Sequence, residues 1–192
     1  MARPREFEPE QVAEELLNTF WLRGYARTSI ADLTAATDLL PGSLYAAFGS
    51  KEAMFQIAID GYQSLMGAAL ASDTRGLDGV EQLLNTIVRL TDGDSERRGC
   101  LIFNAIPEAS SLSEDTQRQL QSGVRLLQRF VRRRFVQAQE DGEVTGACNI
   151  DALAAVAFSA IVGIRVLGRA GQRRRQLQDI ADGAMLAARQ RR

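Results

Sequence analysis

Residues 28–51 read TSIADLTAATDLLPGSLYAAFGSK, and this stretch decides the fold. Ile30, Leu33 and Ala36 recur at three-residue spacing, so one face of a short helix turns toward a core. Thr28 or Ser29 can cap that helix, because a side-chain oxygen accepts a backbone N–H left free in the first turn. Asp38 falls where the chain must reverse, and aspartate tolerates the left-handed conformation better than most residues. Pro41 opens a second helix, where its missing N–H costs nothing and its fixed φ is already helical. Leu44 and Phe48 lie four apart and pack inward. Gly42, Ser43, Tyr45, Ala46 and Ala47 are then left outside. Helix, tight turn, helix, with small and hydroxyl residues outward, is the pattern of a helix-turn-helix nucleic-acid reader.

Working outward, the run from Phe20 to Phe55 resembles the DNA-binding domain of TetR/AcrR-type transcriptional regulators. The resemblance rests on the Gly24-Tyr25-x-x-Thr28-Ser29 entry, the Ile30/Leu33 spacing, the GSLY segment at 42–45 and the Phe48-x-Ser50-Lys51-Glu52-x-x-Phe55 exit. Two positions depart from the pattern: Asp38 stands where the family usually has Gly, and Leu40 where it has a Ser or Thr cap. Ala46 and Ala47 replace the family's larger contact residues. The resemblance implies a fold: all-α, about nine helices, with an N-terminal three-helix reader (1–49) and a C-terminal ligand-binding and dimerisation bundle (50–192). It implies a homodimeric repressor, paired through its last two helices, that binds a palindromic double-stranded operator and is released by a small-molecule effector. Thr28, Tyr45 and Lys51 match the family's phosphate-contacting positions. Ser29, Pro41, Gly42, Ser43, Ala46 and Ala47 complete the expected DNA surface, with Ser43 able to meet a base edge and the alanines a thymine methyl.

Composition narrows the alternatives. The chain has no histidine, which removes the commonest general base and metal ligand. Cys100 and Cys148 form no disulfide framework and have no metal-ligand spacing. No catalytic residue, metal or cofactor is therefore expected. The N-terminus has no apolar signal segment and no apolar run is read as approaching a membrane span, so a cytoplasmic protein without a membrane partner is expected. The formal net charge of −1 is unusual for a DNA binder. Placement outweighs the sum, because screening confines each charge to about 8–10 Å. Arg3, Arg5 and Lys51 can face the duplex while the acids of the first helix face away.

The first helix begins near Pro9 and ends before Gly24, with Val12, Leu16, Leu17 and Phe20 on one stripe. Ser50 caps a helix running to about Ala71, which joins the reader to the body without a flexible linker. Residues 72–79 form a loop, and a helix bearing Val80, Leu83, Leu84, Ile87 and Val88 follows. A short apolar helix from Gly99 is bent or ended by Pro107. Ser111 with Glu114 fits a capping box opening a long helix to about Asp141, whose arginines, Arg125, Arg129 and Arg132 to Arg134, form a solvated face. The helix from about Asp151 to Leu167 is apolar nearly all round and requires burial on all sides, in part against a partner. A last helix, near Arg173 to Arg189, carries one stripe of Leu177, Ile180, Ala184 and Met185.

The effector cavity implied by the resemblance has Phe55, Tyr62, Ile87, Cys100, Phe103, Asn104, Glu108, Leu127 and Phe158 as its expected lining. Cys100 supports an alternative: a redox- or electrophile-sensing thiol at a helix start, activated by Arg97 or Arg98. A second alternative is an all-α carrier or enzyme with a vestigial reader, against which the absent histidine counts.

Overall fold

The computed structural model describes residues 8–190. Arg3 and Arg5 lie outside the described residues. Among the described residues every regular element is helical. Nine α-helices follow in order: α1 (Pro9–Arg23), α2 (Ile30–Thr37), α3 (Pro41–Phe48), α4 (Lys51–Leu70), α5 (Gly76–Asp92), α6 (Leu101–Ala105), α7 (Glu114–Glu140), α8 (Ile150–Arg169) and α9 (Arg174–Arg189), with a 3-10 turn (Ile106–Ser111) before α7.

Local chemistry explains the reader. Val12, Leu16, Leu17, Phe20 and Trp21 make the buried stripe of α1, and Gly24 stops that helix with φ 81°. Ser29 opens α2 with a reciprocal capping box: its hydroxyl accepts the Asp32 N–H while Asp32 accepts the Ser29 N–H. Asp38 takes the left-handed conformation at φ 54°, ψ 22°, as the turn requires. Leu40 stands at the N-cap of α3 with no side-chain cap bond, and Pro41 takes the first helical position. The Ser50 hydroxyl accepts the Ala53 N–H at 3.0 Å and starts α4.

Packing divides the protein into two cores whose border does not coincide with the reader's edge. One core joins α1, α2, α3 and α4 to α6 and the first turns of α7: Leu16, Phe20, Leu33, Leu44, Phe55 and Ile59 meet Leu101, Ile102 and Leu120. Phe55 packs against both the Phe20 and Tyr25 rings, with centroids 5.1 and 5.0 Å away. The other core fills the bundle of α5, α7, α8 and α9, around Leu84, Phe135, Ile161, Ile164 and Leu177. Truncating a fully buried leucine such as Leu16 or Leu33 would cost about 2–5 kcal/mol.

Several boundaries correct the sequence reading. α5 starts at Gly76 rather than after residue 79, so the preceding loop is short. α7 is capped by Ser113, whose hydroxyl accepts the Thr116 N–H, and not by Ser111. Ser111 belongs to the 3-10 turn and donates to the Glu108 carbonyl. Arg134 is not part of a solvated face. It is buried, donating to the Ser72 carbonyl at 2.5 Å with its guanidinium 4.8 Å from the Phe130 ring, and burial holds its pKa below the ordinary value. α8 has the length and apolar composition of a membrane span, contrary to expectation. In this fold it packs instead against α5, α7 and α9 through Leu153, Ala157, Ile161 and Ile164. Val156, Val166 and Leu167 on α8, with Leu186 on α9, remain exposed.

Candidate nucleic-acid interface and ligand cavity

Because Leu44 is fully buried and Phe48 packs on the same core, α3 has a fixed rotation about its axis. Pro41, Gly42, Ser43, Tyr45, Ala46 and Ala47 are all exposed on it. Ser29 is exposed too, although its hydroxyl is engaged with Asp32. Lys51 begins α4 with its ammonium 4.4 Å from the centre of the Tyr25 ring. Partial burial lowers its pKa, while the carboxylates of Glu108 and Asp32 act to raise it. Thr28 departs from its expected place. Its side chain is buried and its hydroxyl donates to the Gly24 carbonyl at 2.7 Å, so it shapes the α1–α2 turn instead of facing outward.

Two carboxylates fasten this surface to the body. Glu52, in the first turn of α4, accepts the Ser113 N–H at 2.7 Å and the Thr116 hydroxyl at 2.6 Å. These bonds hold its carboxyl below the usual value. Glu108, on the 3-10 turn, accepts the Ala26 N–H at 2.9 Å. Glu108 was expected in the cavity; it lies at the junction with the reader, where it satisfies a backbone donor of the α1–α2 loop.

A cavity of roughly 190 Å³ lies between α4, α5, α6, α7 and α8. Tyr62, Ile87, Cys100, Phe103 and Leu127, from the expected lining, border it. Phe55, Asn104, Glu108 and Phe158 do not. Phe55 belongs to the core that α4 shares with the reader; Asn104 donates to the Arg98 carbonyl at 2.7 Å; Phe158 stands edge-on to the Phe103 ring, 6.0 Å between centroids. Met66, Leu70, Leu126 and Phe130 extend the apolar wall, and Gln63 and Arg165 add polar groups. Arg165 is the residue the sequence reading missed. Its signal was present as the lone charge between Ala152 and Gly168, in a helix otherwise apolar or small there.

At the polar end of the cavity, Arg165 donates to the Thr91 hydroxyl at 3.1 Å, to the Tyr62 hydroxyl at 3.4 Å and to the Gly99 carbonyl. Burial, and then the adjacent Cys100, push the Tyr62 phenol well above its ordinary pKa, so it stays protonated. Gly99 also accepts the Trp21 indole N–H at 2.9 Å. One carbonyl therefore touches both the cavity arginine of α8 and the first helix of the reader. Arg98, one of the two arginines expected to activate Cys100, is engaged with Asp94 at 3.1 Å and lies 4.1 Å over the Trp21 ring.

Residues 13–58 match the family model "Bacterial regulatory proteins, tetR family", and residues 76–184 match "Tetracyclin repressor-like, C-terminal domain". The HTH-type transcriptional repressor ComR of Escherichia coli (strain K12) is 27% identical over 184 residues, 93% of this chain and 88% of that protein. The repressor DhaR of Mycobacterium sp. (strain GP1) is 28% identical over 143 residues, 70% of this chain and 69% of that protein. Among solved structures, a cysteine mutant of the TetR family transcriptional regulator CifR, complexed with 26 bp double-strand operator DNA, is 30% identical with a TM-score of 0.84, covering 96% of this chain and 99% of that one. A regulator from Chloroflexus aurantiacus J-10-FL shares the fold at 22% identity, with a TM-score of 0.81 over 92% and 91% of the two chains.

Proposed function

The chain belongs to the TetR family of bacterial transcriptional regulators, and from that premise we propose a cytoplasmic homodimeric repressor. Residues 1–49 act as the reader and residues 50–192 as the ligand-binding and dimerisation body. The reader seats α3 in the major groove of a palindromic operator, and a small molecule in the cavity releases it. The observation that carries this reading is the outward face of α3, where Gly42, Ser43, Tyr45, Ala46 and Ala47 stand together on a helix locked in rotation by Leu44. Tyr45 and Lys51 supply donors to phosphate and set register; Ser43 and the two alanines face the bases. Pro41 and Ser29 shape the rim. Exposed Val156, Val166, Leu167 and Leu186 support pairing through α8 and α9, because apolar side chains on two neighbouring helices gain from mutual burial. Two-fold pairing would place twin recognition helices about 34–36 Å apart, one turn of the duplex.

Coupling follows from contacts on both sides of the cavity. α4 carries Tyr62 and Met66 into the wall at one end and Lys51 toward the DNA surface at the other. Gly99 joins Arg165 to Trp21, and Glu52 and Glu108 fix the reader to the body. A gel-shift titration with DNA from the gene's own upstream region tests the proposal. Tyr45→Ala combined with Lys51→Ala should weaken operator binding by about tenfold or more while leaving a folded dimer. Unaltered affinity in that variant would sink the assignment of the DNA surface.

A second reading keeps the same DNA chemistry but makes Cys100 the trigger. It is favoured by the position of the thiol on the cavity wall beside Tyr62 and Arg165. Titration with N-ethylmaleimide would then lift wild type from its operator and leave Cys100→Ser bound; equal responses would eliminate it.

A further inference from the structure

Arg165 is only 3% exposed, yet its recorded partners are all neutral: a threonine hydroxyl, a phenol and a backbone carbonyl. Among the described residues it forms no ion pair, whereas Arg98 and Arg189 each have a carboxylate. A buried guanidinium without a counter-ion is costly, because it has left water and gained only dipoles in return. The group also borders the cavity, whose remaining wall is mostly apolar, including Met66, Leu126 and Phe130. We propose that the cavity takes a small organic monoanion, with a carboxylate head on Arg165 and an apolar body along Met66, Leu126 and Phe130. This rests on the reading of the cavity as the effector site.

The chemistry of the wall selects this class. A planar guanidinium matches the two oxygens of a carboxylate better than it matches single neutral oxygens. Tyr62, held protonated, places a hydroxyl beside the guanidinium at the same end. One cation on the wall suits one negative charge, so a dianion such as a phosphate monoester would carry excess charge into an apolar site. A neutral molecule of equal shape would gain the apolar contacts and leave the guanidinium unmatched. Because Arg165 also holds the Gly99 carbonyl, to which Trp21 of α1 is bonded, an anion that draws Arg165 toward itself changes a contact shared with the reader.

Isothermal titration of the full-length protein compares hexanoate with hexanamide, and phenylacetate with phenylacetamide. Each pair keeps the apolar body and removes the charge. Wild type should bind at least one acid about tenfold or more tightly than its amide. Arg165→Gln should reduce that ratio to near one by losing acid affinity and keeping amide affinity. Tyr62→Phe, the milder change, should reduce the ratio in part and guards against poor folding of the first variant. Amides binding as well as acids, a ratio unchanged in both variants, or no saturable binding of either acid would overturn the inference. Gel shifts without ligand separate the two readings: operator binding retained by a protein indifferent to carboxylates defeats this inference alone, and its absence defeats the regulator.

Discussion

The Glu52 carboxylate of α4 and the Thr116 hydroxyl of α7 meet at 2.6 Å, joining the helix that leaves the reader to the long helix of the body. The same carboxylate takes the Ser113 N–H, one of the unpaired donors at the start of α7. A side chain from one element thus completes the cap of another, and its charge is favoured by the α7 dipole as well as by its own helix.

Protonating or neutralising that carboxylate should loosen the junction. The Glu52 pKa is held below its usual 4.5 by the Thr116 and Ser113 bonds. A group with a lowered folded pKa stabilises fully above its unfolded value and loses the effect as pH falls through the folded one. Glu52→Gln should therefore be less stable than wild type at neutral pH by about 1 kcal/mol. The gap should narrow as pH falls below 4.5 and through the lowered folded value. Urea denaturation of both proteins across that range measures it, and a gap independent of pH would refute the assignment.

Leu40 offers a gain. It is 76% exposed at the N-cap of α3 and supplies no cap bond. Leu40→Ser puts an acceptor over the first turn and should raise stability by about 1 kcal/mol, read as a higher urea midpoint with unchanged slope. A drop in stability would mean that the leucine contributes packing at this exposed position.

Much of the reader was legible for a simple reason: its signals act within four residues. Ser29, Asp38, Pro41 and the inward pair Leu44 and Phe48 each do what local backbone chemistry asks. Where the answer depended on a distant element, the sequence was silent. Ser111 looks like the cap of α7, and only Glu52 arriving from α4 shows why Ser113 serves instead. Arg134 reads like its neighbours Arg132 and Arg133 until Ser72 and Phe130 are in place around it. In the cavity, five expected lining residues were found and four were not, because helical spacing tells which face is apolar but not which neighbour covers it. Arg165 was overlooked for the same reason: periodicity shows an apolar helix and says nothing of what a single charge in it will meet.

Close helix packing supplies another test. A Cβ on Gly168 of α8 would overlap the Thr91 methyl of α5, a β-branched side chain with little room to turn. Gly168→Ala should destabilise by about 1–3 kcal/mol in thermal or urea unfolding. Pairing it with Thr91→Ser, which removes that methyl, should recover most of the loss, and failure of the rescue would place the strain elsewhere.

Pairing of two copies has its own measurement. Leu186→Glu, combined with Val166→Glu, puts charges where exposed apolar groups of α9 and α8 are proposed to meet their mates. Sedimentation should show dimerisation weakened in affinity by about tenfold or more, with helical content preserved. A dimer as tight as wild type would move the interface to another surface.

The shared core of α1 to α4 with α6 and the start of α7 has a practical corollary for anyone recombining such proteins. A swap cut at residue 49 would strip Phe20, Leu33 and Leu44 of the hydrophobic neighbours that α4 and α6 provide, leaving a sticky fragment rather than a portable module. A transplant that keeps its specificity has to travel with α4 and the segment from Cys100 to Leu120, so in this chain the unit of inheritance is larger than the unit that touches DNA.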